Sequence, residues 1–267
     1  MDIEKMKAME TDYDKINYIY QNYNEDNRLK SQSGRIEFET TIHYIEKYLK
    51  TGMKILDLGA GTGIYSFYFA NMGYDVTAIE ITKKHVDFIK DKMGENKSFE
   101  IIHGNALDEL EKLEESSYDL VLCFGPLYHI SKESERMECV ERIKRVLKKD
   151  GLIYLALIHN DFIIATETMC YDTNYIVEDS FDRVTYKVPN EPFVFYKIED
   201  ARKLIKKSSL QIVHEVASDG LSELLQDKID KMMLENYKEW FKYHLYTCER
   251  PEFLGTTSHL LYVAKLE

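Results

Sequence analysis

Long apolar runs, paired cysteines and an excess of positive charge are all missing from this sequence, and each absence removes a class of protein. The longest clean apolar run is Gly151–Ile158, far short of the ~20 residues that a membrane-spanning helix needs. The opening stretch, MDIEKMKAMETDYDK, has mixed charge and no apolar core, so no secretory signal is read there. Cys123, Cys139, Cys170 and Cys248 are scattered without a C-x-x-C pair. They read as reduced thiols of a cytoplasmic protein, not as a disulfide frame or a zinc site, and no metal is expected. Lys and Arg number 35 against 47 Asp and Glu, a formal net charge of −12. A phosphate backbone is therefore disfavoured as the main partner, and a small polar substrate is favoured. Proline is scarce, at 4, and no internal repeat or low-complexity tract is present, so the order of elements carries the information.

What is there is ordinary globular composition: 267 residues, 44% hydrophobic and 31% charged. That length suits one domain, or one domain with a sizeable insertion. The 20 tyrosines suit either pocket walls or half-buried surface. Residues 1–50 read as an N-terminal helical cap, with helical spacing clearest from Arg35 to Lys50. Strands are predicted at Met53–Gly59, Asp75–Ile79, Phe99–His103, Tyr118–Phe124 and Leu152–Ile158. Helices are predicted between them at Thr62–Met72, Thr82–Met93 and from Ser131 to Asp150-Gly151. Strand–helix repeats with near-continuous apolar strands imply an α/β fold, a parallel sheet with helices on both faces. Beyond it, Val184–Val188 and Phe193–Tyr196 predict a hairpin. Ile198–Ser208 predicts a helix, Leu210–Val216 a strand, Leu221–His244 a long amphipathic helix and Ser258–Leu266 a closing strand. The insertions at 160–198 and 217–257 fall where a ligand lid or an edge cover would sit.

The strongest chemical signal is Asp57-Leu58-Gly59-Ala60-Gly61-Thr62-Gly63, between a predicted strand and helix. Glycines there let backbone approach a ligand, and the helix start offers unpaired N–H donors. A dinucleotide loop places its third glycine where this chain has Ile64, and Asp57 would repel a pyrophosphate while welcoming a cation. Glu80, at the next strand end, stands where an acid takes both hydroxyls of a ribose. Asn105-Ala106 follows the third strand and brings an amide to the same edge, with an ordinary turn asparagine as the rival reading.

These residues resemble the class I S-adenosylmethionine-dependent methyltransferases, specifically over residues 53–160 and more weakly beyond. The resemblance implies a Rossmann-like seven-stranded, mostly parallel sheet with the last strand antiparallel, and insertions after strands 5 and 6. It implies that Asp57, Gly59, Ala60, Gly61 and Gly63 hold the methionine portion of S-adenosylmethionine and that Glu80 holds the ribose. Ile81, Asn105 and Ala106 would meet adenine, with Phe124 and Gly125 lining the other side. Asn105 departs from the Asp more usual in the family. Tyr128 and His129, after the fourth strand, are the catalytic candidates: His129 as a base, as a hydrogen-bonding anchor or as a pocket wall, and Tyr128 as a wall. His159, and Tyr13 with Arg28 as partners for the methionine carboxylate, rank lower. The expected function is methyl transfer to a small-molecule acceptor. An RNA or protein acceptor, a non-catalytic cofactor-binding module that pairs as a homodimer, and an NAD-dependent dehydrogenase are the alternatives. Phe124-Gly125-Pro126-Leu127 stands in place of the tetrapeptide that holds a flipped base, which further disfavours nucleic acid.

Overall fold

The computed structural model describes residues 5–6, 8–22, 29–95, 98–191 and 193–267. Helices α1 (Asp12–Asn22) and α2 (Gln32–Glu46) precede the alternating region among the described residues. There follow β1 (Lys54–Leu58), α3 (Ile64–Asn71), β2 (Asp75–Glu80), α4 (Lys83–Met93), β3 (Glu100–His103), α5 (Ala106–Lys112) and β4 (Tyr118–Cys123). A four-residue turn of helix, α6 (Pro126–His129), leads into α7 (Glu133–Val146) and the long β5 (Leu147–His159). The second half holds α8 (Asn160–Thr166), β6 (Phe195–Tyr196), α9 (Ile198–Lys207), β7 (Leu210–Ala217), α10 (Gln226–Ile229), α11 (Leu234–Thr247), α12 (Pro251–Leu254) and β8 (His259–Leu266).

The sheet runs β3-β2-β1-β4-β5-β8-β7, with β6 paired beside the end of β5. β8 is antiparallel to both β5 and β7, and the pairs among β1 to β5 are parallel. The seven expected strands are present, the last antiparallel, and the two-residue β6 makes eight. Alternation along the strands explains the continuous apolar runs. Val121 and Cys123 pack with α7 and α9 on one face, while Leu120 and Leu122 pack with α2 and α3 on the other. With both faces covered, the middle positions of these strands are mostly apolar, and the buried acids Asp57 and Glu80 stand near the carboxyl ends. The order reverses between β1 and β4, and the crevice beyond their carboxyl ends is where open α/β sheets bind ligands.

Two expectations fail in the second half. Val184–Val188 forms no strand: Asp182 Oδ1 accepts from the backbone N–H of Val184 and Thr185 and from the Thr185 hydroxyl, folding the segment into a turn. Local side-chain bonds of this kind compete directly with a ladder. Phe195-Tyr196 instead pairs in parallel with Ile158-His159, so there is no hairpin. The predicted helix Leu221–His244 is broken into α10 and α11. Gln32 Nε2 donates to the carbonyls of Ile229, Asp230 and Met232, and the Asp230 carboxylate accepts from Ser33 N–H. Tertiary partners thus take up the groups a continuous helix would have used. Met233, just before α11, is 71% exposed. Among the described residues no helix is long and apolar enough to cross a membrane.

Ile153 is fully buried in β5, between β4 and β8, and belongs to the core cluster that includes residues of α7 and α9. Ile153→Ala is expected to destabilise the fold by about 2–5 kcal/mol, measured by urea denaturation; a change near zero would contradict the assignment of this strand to the core.

Candidate active site

The β1–α3 loop closes with Gly59, Gly61 and Gly63 all at positive φ, at 80°, 55° and 77°. A side chain at Gly59 would also stand 2.8 Å from Pro126 Cδ and 3.3 Å from Gly125 Cα. The loops after β1 and β4 therefore touch backbone to backbone across the crevice. Gly63 N-caps α3, where a Cβ would meet Ile89 Cγ1 at 3.1 Å, so it packs the helix and does not line the cavity.

Glu80 is 4% exposed at the end of β2. Its Oε2 accepts from Gly61 N–H at 2.8 Å and its Oε1 from Thr82 N–H at 2.7 Å. Each oxygen of a carboxylate has a second lone pair, so the group that shapes the loop can also accept from two hydroxyls. The side chain of His85, 3% exposed, places Nδ1 3.5 Å from Glu80 Oε1. Asp57, 1% exposed, accepts a 2.6 Å bond from Ser66 Oγ. Burial pushes its carboxyl up to about 6, with the charge of Glu80 adding to the shift and the Ser66 bonds opposing it. Asn105 takes up the capping role: its Oδ1 accepts from Leu107 N–H at the start of α5, and the side chain is exposed.

Beyond β4, Tyr128 donates its hydroxyl to the Phe124 carbonyl, and Phe124 packs on Tyr65 with ring centroids 4.8 Å apart. His129 Nε2 lies 2.9 Å from the Tyr20 hydroxyl, while its Nδ1 is buried with no hydrogen-bond partner. Burial lowers its pKa to about 4, so the ring is neutral at pH 7. Helix α1 is tied over the site by that contact, by Asp12 accepting from Ser131 N–H at 2.8 Å, and by Lys84 Nζ donating to the Tyr20 carbonyl at 2.7 Å. His159 sits apart, 2% exposed with Nδ1 3.1 Å from the Thr257 carbonyl. Arg28 lies outside the described residues, and Tyr13 lines the cavity rim.

Two cavities meet here. One, of about 390 Å³, is bounded by Asp57, Gly59, Ala60, Gly61, Glu80 and Ile81, with Asn105, Ala106, Phe124, Gly125, Tyr128 and His129 completing it. The second, of about 990 Å³, shares Tyr20, Glu37 and Tyr128 with the first. Sequence reasoning missed its key members, Glu37, Glu167, Asp219, Glu223 and His259, because they come from distant stretches with no local spacing signal. Tyr20 was visible only as one of many tyrosines.

A family profile described as a methyltransferase domain matches residues 56–155. The putative methyltransferase YqeM of Bacillus subtilis is 27% identical over 122 residues, which are 46% of this chain and 49% of that protein. The chain thus spans about half the length of that relative. Glycine/sarcosine N-methyltransferase of Aphanothece halophytica is 22% identical over 63% of this chain and 67% of its own. The structure of 1,6-didemethyltoxoflavin-N1-methyltransferase from Burkholderia thailandensis superposes with a TM-score of 0.57 at 14% identity, covering 96% of this chain and 87% of that one. At that identity it shares the fold alone.

Two outcomes follow from the buried carboxylates. Glu80→Gln must set an amide N–H₂ against one of the two backbone donors, and should cost about 1–3 kcal/mol; an unchanged thermal midpoint would remove Glu80 from its clamping role. For Asp57 the folded pKa of about 6 lies above the usual 3.8. The folded state therefore keeps the proton in a window where the unfolded chain has lost it, and stability falls as pH rises through about 4 to 6. Relative to Asp57→Asn, the wild type should lose on the order of 2–3 kcal/mol between pH 4 and pH 7, read from denaturant titrations at each pH.

Proposed function

We propose that the chain, whose residues 56–155 match a methyltransferase domain, is a class I S-adenosylmethionine-dependent methyltransferase that methylates a small-molecule acceptor, the cofactor being held in the smaller cavity and the acceptor in the larger. The charge of the smaller cavity carries this reading. Among the described residues, Glu10, Asp12, Glu37, Asp57, Glu80 and Glu135 line it against one lysine, Lys132, which is itself tied to Glu135 at 2.7 Å. Such a lining favours a cationic sulfonium and repels a pyrophosphate. A volume of about 390 Å³ also lies within the range usual for small-molecule sites.

The residues present fit the cofactor. Glu80 has acceptor capacity left for both ribose hydroxyls, the glycine loop offers close backbone approach for the methionine portion, and Ile81 and Phe124 give apolar surface to adenine. Asn105 and Ala106 line the same end. When bound, the cofactor supplies a methyl group already activated on sulfur. The chain then has to position the acceptor and exclude water. Tyr20 does the second, its ring edge-on to both His85 and His129, at 4.9 and 5.5 Å between centroids. His129 and Tyr128 are the candidate catalytic side chains: Tyr128 walls both cavities, and a neutral His129 is able to accept a proton, though as a weak base. Residues 1–50 serve as a cap, and the insertions 160–198 and 217–257 supply acceptor-side walls.

The test is a calorimetric and thermal-shift comparison of S-adenosylhomocysteine with NADH, followed by labelled-methyl transfer into small-molecule, RNA and protein fractions. S-adenosylhomocysteine at 100 times its Kd should add about 2.7 kcal/mol of stability, NADH should add none, and the label should enter the small-molecule fraction. Stabilisation by NADH alone, or label only in a macromolecule, would refute the reading.

A further inference from the structure

The larger cavity has an unusual lining. Glu37, Glu167, Asp219 and Glu223 all border it, and no lysine or arginine does among the described residues. Tyr128, Tyr171, Phe193 and Phe195, with Ile158 and Ile163, make an aromatic and branched apolar part of the wall, and Ser31, Ser33, Ser222, Gln226 and His259 add polar groups. Phe193 lies edge-on to Tyr128 and to Phe195, at 6.3 and 6.4 Å between centroids.

The carboxylates are not equivalent. Asp219 is committed to the chain: Oδ2 accepts from His259 Nδ1 at 2.8 Å, and Oδ1 accepts from Ser258 N–H and His259 N–H at 3.0 and 3.2 Å. Burial alone would raise its pKa, but His259 and these bonds hold it below the usual carboxylate value, so Asp219 is ionised. Glu223 accepts from the Tyr171 hydroxyl at 3.0 Å and from the Ser258 hydroxyl. Burial, and then the charge of Glu223, push the Glu167 carboxyl upward, which marks two acids crowded in one apolar enclosure. Glu37 lies at the junction. It lines both cavities, and its Oε2 is 3.7 Å from His259 Nδ1.

We propose that this cavity binds an amine as its ammonium, carried on an aromatic or branched apolar body, with the charged nitrogen at Glu37 where the two cavities join. This rests on the methyltransferase reading and names its acceptor class as a nitrogen compound: the bound ammonium must first release a proton to water, after which its lone pair forms the N–C bond as the S–C bond breaks and S-adenosylhomocysteine leaves. A cation set among aromatic faces and carboxylates gains from both, more so when desolvated. Among the described residues an anion meets four carboxylates, and a neutral alcohol of the same shape lacks the charge attraction. The small pocket of charge also orients the ligand: the ammonium goes to the shared mouth, and the apolar body lies back against Phe193, Phe195 and Ile163.

The experiment is isothermal calorimetry on the full chain, with and without S-adenosylhomocysteine, using 2-phenylethylamine, 2-phenylethanol and 3-phenylpropanoate as probes of one shape and three charges. The amine should bind about tenfold more tightly than the alcohol, and the carboxylate should not bind. Glu37→Gln should weaken the amine by about tenfold. Glu167→Gln, at a residue outside the smaller cavity, should weaken it several-fold and leave S-adenosylhomocysteine unaffected. Equal binding of the alcohol, preference for the carboxylate, or unchanged amine affinity in both variants would overturn the proposal. So would a divalent cation, tested as Mg²⁺ and Mn²⁺, that binds Glu37, Asp219 and His259 and excludes the amine. S-adenosylhomocysteine binding is read separately in the same titrations, and its absence would sink the cofactor reading while the amine titration still decides this one.

Discussion

The carboxylate of Glu80 holds the site together. It is nearly inaccessible at the end of β2, and it survives burial only because two backbone N–H groups, Gly61 and Thr82, are turned toward it. That requirement fixes the β1–α3 loop over the end of β2. Three glycines are needed because the loop can make that approach only through left-handed backbone. The packing of Gly59 against Gly125 and Pro126 then brings the β4 loop to the same crevice. A single buried charge thus links the ends of three adjacent strands.

Asp57 and His129 occupy the same enclosure and respond to burial in opposite senses. The carboxyl rises toward about 6 and the imidazole falls toward about 4, because low polarity disfavours whichever form is charged. Between those values the two shifts oppose each other in the pH dependence of stability. At neutral pH the histidine is neutral, and the described lining carries six acids against Lys132. The net charge of −12 gives the rest of the chain the same sign. For a cation this is an attractive surround, and the larger cavity continues it without interruption.

The N-terminal helix turns an open sheet edge into an enclosure. Tyr20 reaches His129, Asp12 caps the Ser131 N–H, and Lys84 holds the Tyr20 carbonyl. Lys15 adds an ion pair to Glu191 at 3.0 Å, tying the same helix to the segment before β6. The cap is therefore held to both halves of the molecule by polar contacts, beside the buried side chains of Ile16 and Ile19 on the same helix.

How far the sequence reaches can be traced residue by residue. Strands β1 to β5, the glycine loop and Glu80 were legible because their signals are local: period-2 burial on both faces, positive-φ turns, and an acid at a strand end. Asn105 was legible as a residue at the right edge, but its use as a helix cap depends on where α5 begins. The second half was misread where tertiary bonds overrode local pattern. Asp182 folded a predicted strand into a turn, and Gln32 broke a predicted helix by taking its carbonyls from nearly two hundred residues away. The larger cavity was invisible for the same reason. Glu37, Asp219 and His259 have no spacing in common, and only the return of β8 beside β5, with α2 laid across that end, makes them neighbours. The sequence by itself determined the glycine-loop edge, since one strand–turn–helix builds most of it. The larger cavity was decided by tertiary structure alone, because its walls are assembled from segments whose meeting no local physics specifies.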